Sequence, residues 1–326
     1  MDYSRYQHII SGFKDKNIII VGDIMLDVYY WGDVHRISQE APVPVVHITN
    51  ENVRAGGAGN VATNLFGLNA KPFLISVLGE DENGNTLLKK LNDKLMPTEG
   101  IIPVKDRTTT VKTRVISQNQ QMIRFDKEST TLVSKTVEDK VISIFNKHLT
   151  KAHGIILSDY GKGIFTPSVI SEIIRISRQH NIPVYVDPKT NDFTYFRAVH
   201  MIKPNLYEFQ SVVGEWRSKK EFDILGQKLR EKLDVDILLV TLGADGSNLF
   251  TKDQQHKIPT KALHVHDVSG AGDTVISTFA LAELSGANGE ESAFLANYAA
   301  GFVCEEVGVV PITLDNLTKV VKNYLN

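Results

Sequence analysis

The chain has 326 residues, 42% hydrophobic and 23% charged, enough to bury a large core in one α/β domain or two small ones. Thirty-six Lys and Arg against 38 Asp and Glu give a formal net charge of −2, which excludes a whole-molecule basic field for nucleic acid or an anionic membrane and leaves any anionic ligand to be held locally. The single cysteine, Cys304, cannot close an intramolecular disulfide, the start lacks a secretory signal, and no stretch approaches the roughly 18 consecutive apolar residues of a membrane span, so a cytoplasmic location is expected.

In chain order, short apolar runs alternate with longer segments of helical periodicity. The runs "NIIIVG" (17–22), "KPFLISVLG" (71–79), "HGIILS" (153–158), "IPVYV" (182–186), "AVHMIK" (198–203) and "DILLVTLG" (236–243) read as buried strands. Such alternation predicts a mostly parallel sheet covered by helices on both faces. With no repeat or linker-like tract, residues 1–326 read as one domain. Two segments break the pattern. Residues 28–49 and 108–128 are rich in β-branched and aromatic residues, and the second reads as a hairpin around Asn119. Both are expected to form a small β lid over the rim of the sheet, paired with a second subunit to cover their edges; ordinary surface hairpins are the bland alternative.

Polar residues stand at or just beyond the ends of these strands: Asp23, Asp159, Asp187, Asn205 and the turn from Thr241 through Gly243. The carboxyl ends of parallel strands share one rim, where α/β proteins bind ligands. Each residue alone could be a helix cap, but together they point to a site.

The stretch "HDVSGAGDTV" (266–275) gives the strongest chemical signal. Gly270, Ala271 and Gly272 allow a tight turn and close approach of main chain to a ligand, and the apolar helix beyond them offers unpaired N–H groups and the positive end of its dipole. Asp273 sits in the first turn, where an ionised carboxylate can reach a hydroxyl beside the bound anion. An anion cradle with an adjacent base suits phosphoryl transfer from a nucleotide to an alcohol. A capped core helix with a tight glycine turn is the alternative. No P-loop, H-E-x-x-H, paired C-x-x-C or G-x-S-x-G element is present. "GAGNVA" (57–62) imitates a dinucleotide fingerprint but is expected to fail, because polar "NENVRA" separates it from the preceding strand-like run.

"DVSGAGDT" (267–274) resembles the C-terminal signature of the ribokinase (PfkB-type) family of carbohydrate kinases, and "RAGGAGNVATNLFGLNA" (54–70) resembles its N-terminal glycine-rich signature. "GDIMLDVYYWGDVHRISQEAPVPVV", "IRFDKE", "LSDYGKG", "VDPK", "KPNLYEF" and "TLGADGSNLF" are similar to segments of one subgroup, the D-glycero-β-D-manno-heptose-7-phosphate kinases, and the likeness spans roughly residues 15–315. The resemblance implies a ribokinase-like three-layer α/β/α sandwich with a mostly parallel central sheet and a small β lid. It implies an ATP-dependent kinase acting on the anomeric hydroxyl of heptose 7-phosphate for lipopolysaccharide precursor synthesis, with Mg²⁺. Bifunctional members carry a nucleotidyltransferase domain with an H-x-G-H motif after the kinase, and this chain ends at Asn326 without one, so a kinase-only version is expected.

The resemblance also distributes roles. Asp273 would be the base, with the N–H groups of residues 270–273, from Gly270, Ala271 and Gly272 onward, holding the transferring phosphoryl group. Asn205 and Glu208 of the N-x-x-E element would organise Mg²⁺ through waters, although "PNLYEF" by itself reads as a helix start. Asp23, Asp27, Gly56, Gly57 and Asn60 would meet sugar hydroxyls, with Asp159 on the same rim; Thr241, Gly243, Gly246 and Asn297 would line the nucleotide. Lys162, Lys189 and Arg124 are candidates for the substrate's own phosphate, which needs a fixed cation. The expected partners are sugar phosphate, ATP and a second copy through the lid, with neither nucleic acid nor membrane. The rival readings are another kinase of the family, for a sugar, sugar phosphate or nucleoside, and a catalytically silent nucleotide or sugar-phosphate binding protein.

Overall fold

Four consecutive β-branched residues, Ile18, Ile19, Ile20 and Val21, form the centre of the molecule. Ile18 and Ile20 point into one buried cluster and Ile19 and Val21 into another, which is why the run has no polar alternation: both faces of the strand are covered. A computed structural model of the protein describes residues 2–118, 120–260, 268–306, 308 and 310–325.

In chain order the strands are β1 (Asn17–Gly22), β2 (Ile24–Ile37), β3 (Pro44–Gly57), β4 (Lys71–Gly79), β5 (Ile101–Val104), β6 (Val111–Ser117), β7 (Gln120–Lys127), β8 (Gly154–Ser158), β9 (Val184–Asp187), β10 (Met201–Ile202), β11 (Ile237–Thr241), β12 (Ser247–Phe250) and β13 (Gln255–Ile258). Nine of them make one sheet in the order β13-β12-β11-β10-β9-β8-β1-β4-β5. It is parallel except for the β11-β12-β13 meander. One face packs against the helices Ala58–Gly67, Ala271–Leu284 and Gly289–Cys304, the other against Lys135–Leu149, Pro167–Gln179 and Lys219–Leu233. The expected α/β/α sandwich is therefore present. From β1 the chain builds toward β4 and β5 on one side, and from β8 toward β11 on the other. That reversal leaves a crevice at the carboxyl ends of β1 and β8.

The helix Ala271–Leu284 explains how the site is held. Ile276, Phe279, Ala280 and Leu281 are fully buried, and at roughly 1.5–3 kcal/mol for each large apolar side chain this packing fixes the helix origin against the rim. No described helix is long and apolar enough to cross a membrane.

The lid is a separate four-stranded sheet in the order β3-β2-β6-β7. Its strands run further than the sequence predicts. β2 starts one residue after β1, and β3 continues through "NENVRA" to Gly57, with Ile24 opposite Gly57 and Ile37 opposite Pro44. The polar stretch expected to interrupt a strand is thus strand itself, because a lid strand with exposed residues needs no apolar run. The glycine turn of residues 57–62 does leave a strand directly, but an antiparallel lid strand rather than a parallel strand of the main sheet. β6 and β7 form the expected hairpin, β6 lying parallel to β2; Asn119 lies outside the described residues. The main sheet departs from expectation at β10, which is only two residues long, and at β5, β12 and β13, which have no counterpart among the predicted strands.

Candidate active site

The carboxyl ends of β8, β9, β10 and β11 open into a cavity of about 540 Å³. Asp159, Asp187, Lys203, Asn205, Glu208, Thr241, Gly243 and Gly272 line it, so most of the polar strand ends converge as expected. Gly270 adopts φ 82° and delivers the chain into the helix Ala271–Leu284. Only glycine enters this left-handed region freely. The N–H of Ala271 is spent on the carbonyl of Val268 at 3.2 Å, which reduces the expected cradle. Gly272 and Asp273, in the first turn, retain N–H groups without an intrahelical acceptor.

Asp273 is buried, and both of its carboxylate oxygens accept hydrogen bonds from neutral donors. Asn60 Nδ2 donates to Oδ2 at 2.8 Å and the Tyr160 hydroxyl to Oδ1 at 2.7 Å. Burial pushes the carboxyl up; the two donors and Lys203 counter it, Asp187 adds to it, and the result is about 7. A carboxylate of that basicity can exchange a proton near neutral pH. Asn60, expected on a sugar hydroxyl, spends its amide nitrogen on Asp273 in this structure.

Beside Gly272 lies an ion pair between the buried Lys203 Nζ and Oδ1 of the half-buried Asp187 at 2.9 Å. A Cβ on Gly272 would stand 3.4 Å from Lys203 Nζ and 3.7 Å from Asp187 Oδ2. The lysine is brought there because the Lys203 N–H bonds the carbonyl of Val186, aligning the end of β10 with that of β9. Burial pushes the Asp187 carboxyl up, while Lys203 draws it back. Lys203 and Tyr160 line the cavity and are missed by sequence reasoning; a lysine closing the buried run "HMIK" just before a proline is the signal that marks the first.

Asp23 serves the protein's own loop. Its Oδ2 accepts the N–H groups of Tyr160 at 2.9 Å and Lys162 at 3.0 Å, and Oδ1 accepts that of Ile164 at 3.4 Å. Burial raises this carboxyl and the three N–H groups oppose the rise. Asp159 is fixed in a similar way, by the N–H groups of Gly161 and Lys189 at 2.8 and 3.3 Å. At the foot of the lid, Asp27 pairs with Arg114 at 2.5 Å, and a Cβ on Gly56 would lie 1.9 Å from Asp27 Oδ2. Gly57, at φ 59°, turns the chain from β3 into the helix Ala58–Gly67.

The three cations considered for a substrate phosphate all have carboxylate partners: Lys162 with Glu128 at 2.7 Å, Lys189 with Glu208 at 3.2 Å, and Arg124 with Asp126 at 3.2 Å. Asn205 and Glu208 form a reciprocal cap, Asn205 Oδ1 accepting from the Glu208 N–H and Glu208 Oε2 from the Asn205 N–H, both at 2.9 Å. Among the described residues no three His, Cys, Asp or Glu side chains form a metal cage. The hard oxygens of Asp159, Asp187, Asn205 and Glu208 around the cavity suit a Mg²⁺ that keeps waters and takes further oxygens from a nucleotide. Thr241 and Gly243 line the same cavity. Gly246 lies apart from it at φ 87°, where a Cβ would meet the carbonyl of Ile258 at 2.1 Å. Asn297 is committed internally, donating to the Ile258 carbonyl at 3.0 Å and accepting from Ser247 at 3.3 Å. It fastens its helix to β12 and β13, whereas the sequence suggests a reach to the nucleotide.

Known proteins share this architecture. The model of the pfkB family carbohydrate kinases matches residues 15–315. Among curated proteins, the chain is 38% identical over 315 residues to the bifunctional protein HldE of Geobacter metallireducens, covering 96% of this chain and 64% of the relative. It is 40% identical over 299 residues to the bifunctional protein HldE of Geobacter sulfurreducens, covering 91% and 61%. The chain thus spans less than two thirds of the length of these relatives. Among solved structures, Arabidopsis thaliana ribokinase complexed with ribose and ATP superposes with a TM-score of 0.73 at 20% identity, covering 94% of this chain and 99% of that one. At that identity the likeness carries the fold, which is ribokinase-like.

Proposed function

Because the chain belongs to the pfkB family of carbohydrate kinases, we propose that it transfers the γ-phosphoryl group of ATP to the anomeric hydroxyl of D-glycero-β-D-manno-heptose 7-phosphate, giving the 1,7-bisphosphate used for ADP-heptose and lipopolysaccharide. The observation that carries this reading is Asp273: a buried carboxyl tuned to about 7, one residue beyond a glycine whose missing Cβ leaves the cavity open. The kinase class rests on the family and the choice of heptose on the segments of the subgroup.

In this reading the acceptor lies under the lid, beside Asp27, Gly56 and Gly57, and the nucleotide runs from Gly272 toward Thr241, Gly243 and Gly246. Asp273 takes the proton of the anomeric hydroxyl as that oxygen approaches phosphorus. The N–H groups of Gly272 and Asp273 hold the phosphoryl oxygens, and a donor so placed contributes on the order of 3 kcal/mol to the transition state. Lys203 faces the same oxygens as a fixed cation, with Asp187 holding its ammonium in place. Asn205 and Glu208 hold Mg²⁺ through water, and the ion supplies neutralisation of the ATP phosphates. The substrate's 7-phosphate would compete with Glu128 for Lys162, with Glu208 for Lys189, or with Asp126 for Arg124. A homodimer through the lid accounts for the exposure of Ile37, Ile48, Ile123 and Phe125 on its strands, and the same assembly would work in the cytoplasm.

Turnover with ATP and Mg²⁺ should be compared across heptose 7-phosphate, fructose 6-phosphate, ribose and adenosine, with ³¹P NMR to locate the new phosphate. Preference for heptose 7-phosphate and a signal at the anomeric carbon are expected. A clear preference for an unphosphorylated acceptor removes the heptose assignment, and no turnover of any acceptor removes the kinase reading.

A further inference from the structure

Asp273 has a second partner that neither the glycine turn nor the sugar-binding segments account for. The Tyr160 hydroxyl lies 2.7 Å from Oδ1, opposite Asn60 on Oδ2, so the carboxylate is held from both sides and cannot rotate. The loop that carries Tyr160 is pinned in turn. Asp23 accepts three of its N–H groups, and the Arg107 guanidinium donates to the carbonyls of Thr131 and Lys162 at its far side. The tyrosine ring also lies over the glycine turn at the foot of the lid, its Cδ2 3.5 Å from where a Cβ on Gly57 would stand. Three elements therefore converge on one residue: Asp23 at the root of β2 holds the Tyr160 backbone, the turn at Gly57 lies under its ring, and the origin of the helix Ala271–Leu284 meets its hydroxyl.

We propose that Tyr160 is a positioning residue that orients Asp273 and sets its basicity. The inference rests on the kinase reading above. The Tyr160 hydroxyl faces an ionised carboxylate that can only accept, so it sits there as a donor and does not compete for the acceptor's proton. A permanent donor favours the ionised carboxylate. Among the described residues, the charged groups that act most on Asp273 are Asp187 and Lys203, which work in opposite directions and leave the two neutral donors to counter burial. The acceptor hydroxyl must then approach Asp273 on a lone pair left between Tyr160 and Asn60, which fixes its direction as well as its distance.

The test is the pH dependence of kcat/KM. Tyr160→Phe removes the donor without changing the ring, so the acid limb is expected to move to higher pH, with the loss of rate largest below neutrality and partly recovered at alkaline pH. Replacing Tyr160 by a fluorinated tyrosine, a stronger donor of nearly the same shape, is expected to move the limb the other way. Asp273→Asn is measured alongside. If the wild type is active and Asp273→Asn is not, yet neither Tyr160 replacement moves the limb, the proposal is wrong while the kinase reading stands. A raised KM with an unmoved limb would make Tyr160 a sugar contact and also overturn it. If Asp273→Asn turns over like the wild type, the base assignment itself falls.

Discussion

The two ends of the helix Ala271–Leu284 solve the same problem in opposite ways. At its origin, Asp273 is buried among neutral donors, and its carboxyl is pushed up to about 7. At its far end, Glu283 accepts from His200 Nε2 at 2.9 Å, and His200 Nδ1 lies 2.8 Å from Asp236. Burial pulls the His200 ring down, but the hydrogen bonds and charges of Glu283 and Asp236 outweigh it and raise the imidazole. A cation there also complements the negative end of the helix dipole. The difference teaches what a charged partner does inside a protein. Here the carboxylate hydrogen-bonded to a cation becomes a clamp, whereas the one hydrogen-bonded only by neutral donors stays basic enough to take a proton. One end of the helix fixes structure and the other stores reactivity.

The largest expected effect breaks the reactive end. Asp273→Asn should lower kcat by about 10²–10⁴-fold, the range of a lost general base. The wild-type rate should rise as pH climbs through about 7, since the base must be ionised. Stability should move the other way. A carboxyl raised on folding favours the protonated native state, so its contribution is fully present below the unfolded value near 4 and is lost as pH rises through about 7. At pH 8 the Asn variant should therefore melt no lower than the wild type. A variant that melts much lower would mean that Asp273 is a structural cap.

Next in size is Lys203→Met, which leaves the half-buried Asp187 without its cation and should cost about 2–3 kcal/mol, short of the cost for a fully buried pair and read as a lowered urea midpoint. A change below about 1 kcal/mol would show the pair to be solvated, and the contrast between charged and neutral partners would lose its clearest neighbour. The smallest effect belongs to the clamp. The raised His200 imidazole contributes stability that is fully present below its unfolded value near 6.5 and is lost as pH rises through its folded value. His200→Gln should thus cost up to about 2 kcal/mol at pH 6 and much less at pH 9. An equal cost at both would reduce the clamp to packing.

Much of this architecture is legible in the amino-acid order. β1 declares itself because a strand buried on both faces needs a run such as Ile18 to Val21, and the turn before Asp273 declares itself as a helix origin because Gly270, Ala271 and Gly272 stand directly before an acid and a long apolar run. The remainder depends on distance in sequence. Tyr160 is 113 residues from Asp273, and Asn60 is 213 away, so no local pattern links them. Lid strands exceed their expected length for a related reason: Asn50, Glu51 and Asn52 are exposed or half-buried in β3, and ladder pairing rather than hydrophobic alternation keeps them extended. Asn297 and Asp23 show why a polar side chain aimed inward is hard to assign: in sequence it looks the same whether it meets a ligand or, as these two do here, the protein's own backbone.

The lid has one further consequence. β2 and β3 leave the sheet side by side, tied where the Ala58 N–H bonds the Asp23 carbonyl at 2.9 Å, and Asp27 sits only three residues into β2. Length can change freely at the distal bend between Ile37 and Pro44, whereas a single residue added between Asp23 and Asp27 would turn every later side chain of β2 over. Asp27 would leave Gly56 and Arg114 for the opposite face. Descendants of this chain can remodel the tip of the flap at little cost, but its base is locked to an even count.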